Sequence, residues 1–179
     1  MGCMYLVSRD LPAATAPPGI VVGVDGSDGS LWALDRAVAE AAAFTVPLYV
    51  IAAVNPAPTG YTAGMVDLVQ DSIERLLAGM SEVVTRGIES VLARHPEPLR
   101  LSLHIILGNP VEAILKASER HHTLVVGARG NGGFARLLLG SVATALIHHG
   151  SCPVLVVPSP DPAAPQAAAA REYRSDGPG

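Results

Sequence analysis

The chain has 179 residues, with 12 Lys plus Arg against 16 Asp plus Glu, a formal net charge of −4. That length suits one domain with loose ends, and the acidic balance excludes the general basic field that nucleic-acid binding needs. Hydrophobic residues make up 49% but aromatics only 4%, so the core is built from Val, Leu, Ile and Ala, as in a sheet covered by helices.

Residues 1–18 end in Ala-Thr-Ala-Pro-Pro and read as a flexible lead. They lack the basic-then-apolar order of a signal peptide. Cys3 and Cys152 form neither a disulfide framework nor a zinc spacing, which points to a reducing compartment. The longest apolar region, Ala41 to Val54, is broken by Thr45 and Pro47 and is too short to span a bilayer. A soluble, cytoplasmic protein is expected, with no membrane partner.

Ile20 to Val24 is compact and β-branched, and predicts a buried strand. Asp25-Gly-Ser-Asp-Gly-Ser is a turn, with Ser27 or Asp28 capping a helix that carries Leu31, Leu34, Val38 and Ala41 on one side. Leu48 to Val54 predicts a second strand, followed by a loop carrying Gly60 and Gly64. Val66 to His95 predicts a long amphipathic helix, with Gly79 and Gly87 as potential bends. Leu99 to Leu107 alternates, and predicts a third strand with one face less buried. Gly108-Asn-Pro opens a helix with Pro110 in its first turn.

Thr123 to Val126 predicts a fourth strand, leading into the glycine-rich stretch Gly-Ala-Arg-Gly-Asn-Gly-Gly at 127–133. A helix reaches His149, and Gly140 marks its true start rather than its middle, because glycine inside a helix costs about 0.5–1 kcal/mol against alanine. Val154 to Val157 is a fifth strand. From Pro158 onward the chain is rich in breakers with little to bury, so the domain is residues 19–158 and disorder is expected over 159–179.

Strands alternate with helices throughout. That order calls for an α/β fold, a parallel Rossmann-like sheet of five strands with helices on both faces. In such sheets ligands bind at the carboxyl ends of the strands, where strand order reverses.

The glycine loop after Val126 can turn its backbone N–H groups toward an anion, with a nucleotide phosphate as the expected guest. Arg129 adds a positive charge, and Ser141 offers a hydroxyl and an N–H to an oxyanion. Asp25 is a candidate to hold a magnesium ion bridging to phosphates. No lysine follows the glycines, so this is not a P-loop. The first strand is followed by Asp25-Gly-Ser, so it is not the dinucleotide fingerprint either. Ser27, Ser30 and Ser141 have no evident His and acid partners, and no catalytic set is apparent. His121-His122 and His148-His149 are adjacent pairs that do not face one way on a helix, and read as solvated helix-end residues. Trp32 reads as a packing residue and Cys152 as an inert thiol.

The spacing Gly127-x-x-Gly130, nine residues, Gly140-Ser141 resembles the ATP-binding signature of the universal stress protein family. Val24-Asp25-Gly26-Ser27, Gly108-Asn-Pro-Val-Glu-Ala-Ile-Leu and His-His-Gly-Ser-Cys-Pro-Val-Leu-Val-Val resemble that family too, in order across the domain. The resemblance implies the sheet order 3-2-1-4-5. It implies that Asp25 contacts the adenine or ribose and that Gly23 and Ala53 line the base pocket. Gly127, Arg129 and Gly130, joined by Gly140, Ser141, Val142 and Ala143, would cradle the phosphates.

The cofactor implied is ATP, with Mg2+ a candidate held only through the phosphates. Family members commonly dimerise through the last strand, which implies a homodimer at Val154–Val157. The expected function is that of a nucleotide-dependent stress or signalling regulator with little or no hydrolysis, read by some other protein. A slow ATP hydrolase or nucleotidyl transferase, and a nucleotide-free dimeric scaffold, are the alternatives.

Overall fold

A computed structural model of the chain describes residues 5–55, 66–130 and 139–159. In chain order the elements are β1 (Leu6–Ser8), β2 (Ile20–Gly23), α1 (Asp28–Phe44), β3 (Leu48–Val54), α2 (Val66–Leu92), β4 (Leu101–Leu107), α3 (Pro110–Ser118), β5 (Thr123–Gly127), α4 (Ser141–His149) and β6 (Val154–Val157). The expected disorder beyond 159, the loop with Gly60 and Gly64, and Gly132, Gly133 and Phe134 of the glycine stretch lie outside the described residues.

The sheet corrects the expected fold. It has six parallel strands in the order β1-β4-β3-β2-β5-β6, not five in the order 3-2-1-4-5. The additional strand comes from the lead: Leu6, Val7 and Ser8 pair with Ser102, Leu103 and His104 of β4. Three residues are too few to show a period in sequence, and the partner lies more than ninety positions away.

The sheet separates two cores. Val22, Val50, Val54 and Leu103 pack against Leu34 and Val38 of α1 and Val84 and Ile88 of α2. Val21, Ile51, Leu124 and Val126 pack against Ile114 and Ala117 of α3 and Ala143 and Leu146 of α4. Consecutive strand residues face opposite layers, so both faces must be apolar, and each buried side chain contributes about 1.5–3 kcal/mol.

Local chemistry explains the helix ends. Ser27 caps α1 by accepting from the N–H of Ser30, and Thr45 ends it in the left-handed region at φ 55°. Asn109 caps α3 by accepting from the N–H groups of Val111 and Glu112, with Pro110 at the first position. α2 runs unbroken to Leu92. Gly87 is a contact position: a β-carbon there would stand 2.6 Å from Cδ2 of Leu31 on α1. α4 begins at Ser141 behind the extended cap Gly140, as the cost of a mid-helix glycine predicts. Trp32 lies on the outside of α1 and is 46% exposed, so packing claims only part of it.

Candidate functional site

β2 sits between β3 and β5. The chain leaves β2 toward β3 and β4, then crosses back to β5 on the other side. The crevice at this reversal is bounded by the turn after β2, the loop after β5 and the start of α4.

Asp25 lies two residues past the end of β2 and is half-buried. Its Oδ1 accepts from the Ser27 N–H at 3.0 Å and from the Ser27 hydroxyl at 2.5 Å. The Asp25 N–H donates to Ser30 Oγ at 3.3 Å, and that hydroxyl donates to the Ser27 carbonyl at 2.8 Å. The carboxylate is thus oriented by the same residues that start α1. Gly26 between them has φ 80°, a conformation that favours glycine.

The two glycine segments meet beside this carboxylate. A β-carbon on Gly130 would stand 2.5 Å from Asp25 Oδ2. The N–H of Gly140 donates to the Ala128 carbonyl at 2.8 Å. A β-carbon on Gly140 would lie 3.7 Å from the Arg129 Cα and 3.9 Å from the Gly130 N. Gly140 has no side chain to cap α4, so the first-turn N–H groups of Ser141, Val142 and Ala143 meet no side-chain acceptor from the cap. An uncapped N-terminus beside a glycine loop favours an anion by both hydrogen bonding and the helix dipole.

The other expected residues fall into distinct roles. Arg129, Gly130 and Ser141 are exposed at the crevice, whereas Val142 is half-buried and Ala143 belongs to the core under α4. The Ala143 side chain is therefore turned into the core. Gly127 is buried, and a β-carbon there would stand 2.6 Å from the Gly29 carbonyl oxygen, so its smallness serves the approach of α1. Gly23 is likewise a packing position, where a β-carbon would stand 2.7 Å from Cδ1 of Ile114. Gly23 pairs with Ile51, so the register continued by two residues brings half-buried Ala53 level with Asp25.

Sequence reasoning missed Gly29 and the part played by Ser30. Gly29, one residue into α1, meets the Arg129 backbone so closely that any side chain would collide with its carbonyl. The available signal was a glycine in the first turn of a helix, where helix preference alone disfavours it. Among the described residues no group of three or more His, Cys, Asp or Glu is placed to hold a metal ion. No helix among them is long and apolar enough to cross a membrane.

A doubly wound parallel sheet with a glycine-bordered crevice at its switch point defines the class. Residues 19–158 match the sequence profile of the universal stress protein family, and the chain belongs to that family. A universal stress protein of Mycobacterium tuberculosis is 34% identical over 141 residues, covering 79% of this chain and 48% of that protein. Another from Mycolicibacterium smegmatis is 30% identical over 148 residues, covering 82% and 50%. The chain thus spans about half the length of the curated relatives it matches.

The solved structure of UspA from Lactobacillus plantarum shares the fold, with a TM-score of 0.68 at 23% identity, over 80% of this chain and 99% of that one. A universal stress protein solved in complex with cAMP superposes with a TM-score of 0.57 at 27% identity, over 82% of this chain and 100% of that one.

Proposed function

We propose that this crevice binds an adenine nucleotide, with ATP as the ligand, and that the chain is a cytoplasmic, nucleotide-dependent stress or signalling regulator. The observation that carries this reading is the meeting of Gly130 and Gly140 beside Asp25, at an α4 start without a side-chain cap. The cAMP complex of a related protein supports an adenine nucleotide in this fold.

In this reading the amides of Gly130, Ser141, Val142 and Ala143, with the Arg129 guanidinium, hold the phosphates, while Gly127 and Gly140 shape the loop, the Gly140 N–H being engaged by the Ala128 carbonyl. Asp25 meets the ribose or base, and Gly23 and Ala53 flank the base. Mg2+ joins through the phosphates. Ser27 and Ser30 hold Asp25 in a capping role, and no imidazole stands among the residues assigned to the ligand, so hydrolysis is slow or absent. Pairing of β6 with its copy makes a homodimer, through which another protein reads the nucleotide state.

Calorimetry with ATP, ADP and cyclic AMP tests the ligand. ATP binding that is lost in Gly130→Asp, with the fold intact by circular dichroism, supports the reading; equal affinity in wild type and variant refutes it. Phosphate release that persists after contaminating ATPases are removed, and that falls in Asp25→Ala, overturns the non-enzymatic form.

A further inference from the structure

The opposite end of the sheet carries a second device. Residues 5–19 run from the edge strand β1 back across the ends of β4, β3 and α3 before entering β2. Beyond the β1–β4 pairing, five hydrogen bonds among the described residues hold this segment down, one of them from the His122 N–H to the Gly19 carbonyl at 2.9 Å. The Asp10 carbonyl accepts from His104 Nδ1 at 2.6 Å, and the Ala14 carbonyl from Arg120 Nη2 at 2.7 Å. The Pro17 carbonyl accepts from the Tyr49 hydroxyl at 2.8 Å. Only one of the five reverses direction: the Gly19 N–H donates to His121 Nδ1 at 3.1 Å.

That reversal fixes a protonation state. His121 Nδ1 accepts a proton donor only while the ring is neutral. A protonated ring carries N–H on both nitrogens, so Nδ1–H would face the Gly19 N–H head on. His104 behaves otherwise, because its Nδ1 already donates and its Nε2 faces a Ser102 hydroxyl at 2.9 Å that can turn to accept.

We propose that residues 5–19 form a pH-released clasp, closed while His121 is neutral and freed from α3 and β4 when His121 gains a proton.

The surroundings of His121 favour the neutral ring. The ring is half-buried and stands edge-on to Tyr49 on β3, with centroids 4.7 Å apart. Burial, followed by the charges of His122 and Arg120, lowers its pKa below 6.5. Lys116 and Glu119 from the end of α3 line the same groove. His104 on β4 also neighbours Tyr49, 6.3 Å between centroids, and its pKa is held low by burial, against the opposing pull of Asp10. The sign follows from linkage: a detached segment leaves His121 free to protonate near its ordinary value. The closed form is therefore favoured in full above about pH 6.5 and loses ground as pH falls below it.

The groove under the clasp encloses about 340 Å³ between Leu11, Pro12 and Pro18 and the α3 residues Lys116 and Ala117. Release uncovers this groove together with the hydrogen-bonding edge of β4.

Hydrogen exchange on the full chain, corrected for the intrinsic pH dependence of exchange, reads the clasp directly. Between about pH 7.5 and about pH 5, protection of residues 5–19 should fall about tenfold while β2 and β5 keep theirs, as expected for one buried donor losing its partner. His121→Asn retains an acceptor near the Nδ1 position without titrating, and should hold the segment closed at both pH values. His121→Leu should loosen it at both. Unchanged protection in wild type across this range overturns the proposal. An equal acid-induced loss in His121→Asn overturns it as well. Should either variant fail to fold, a wild-type imidazole titration in which His121 protonates with no accompanying change at the Gly19 amide has the same force.

Discussion

Oδ2 of Asp25 stands 2.5 Å from the point where Gly130 would carry a β-carbon. These residues are 105 positions apart, yet each sets what the other can be. Any side chain at 130 displaces the carboxylate that the Ser27 N–H and hydroxyl hold in place. Gly130→Ala should therefore weaken ATP binding about tenfold, the scale of one misplaced charge-assisted hydrogen bond, with little change in stability. Calorimetry alongside urea unfolding separates the two effects; a loss of stability without a loss of affinity would contradict it.

Gly127 should behave differently. Its β-carbon would meet backbone of α1, 2.6 Å from the Gly29 carbonyl oxygen and 2.8 Å from its carbon, and backbone cannot turn aside. Gly127→Ala should lower unfolding free energy by about 1–3 kcal/mol. Gly23→Ala meets only the terminal methyl of Ile114, which can change rotamer, and should cost about 1 kcal/mol or less. Denaturant midpoints at constant m-value check the ranking. A charge placed at Gly127 therefore reports on packing before it reports on phosphate, and Gly130 is the cleaner probe of the ligand.

The outer strand β6 supplies the test of assembly. The carbonyls of Pro153 and Val157 accept from Leu124 and Ala128, so they face β5. In a parallel ladder the alternate residues, Val154 and Val156, turn their backbone groups outward. Val156→Pro removes an outward N–H without touching the β5 ladder. Sedimentation should show a dimer for the wild type and a folded monomer for this variant. A wild-type monomer at all concentrations would exclude the proposed pairing.

A charge cluster ties the end of α2 to α1. Asp35 Oδ1 accepts from Arg94 Nη2 at 2.8 Å and from His95 Nε2 at 3.0 Å. Burial pushes the Asp35 carboxyl up, but the hydrogen bonds and charges of Arg94 and His95 together outweigh it and hold the group below 3.8. A depressed carboxylate stabilises the fold above its unfolded value, and that contribution is lost as pH falls through the folded value. Thermal unfolding between about pH 6 and about pH 2 should show Asp35→Asn less stable than wild type by about 0.2–1 kcal/mol at the upper end, the two converging at the lower. A difference that persists at the lowest pH would assign the effect to packing instead.

The central elements were legible because their signals are local. Val21-Val22, Val50-Ile51 and Val125-Val126 announce strands that are buried on both faces, and the helix starts near Ser27-Asp28 and at Gly108-Asn-Pro read from residue type, the structure choosing Ser27 and Asn109 as the caps. The glycine spacing at 127, 130 and 140 was legible as a pattern. Its division of labour was not, since Gly127 and Gly23 serve packing while Gly130 and Gly140 border the crevice. His121 read as a solvated helix-end residue, but the chain returning through Gly19 half-buries it and makes its Nδ1 an acceptor.

By itself the sequence determined which segments of residues 19–158 become strand and helix, where the helices start, and that a glycine-rich loop follows β5. Those properties depend on neighbours a few residues away, through hydrogen bonds and periodicity that any chain of this pattern must satisfy. Only the tertiary structure decided that Leu6–Ser8 joins the sheet, that Asp25 meets Gly130, and that Gly29 meets Gly127. Each of these contacts joins residues some ninety or more positions apart, and its geometry exists only once the whole sheet has closed around β2.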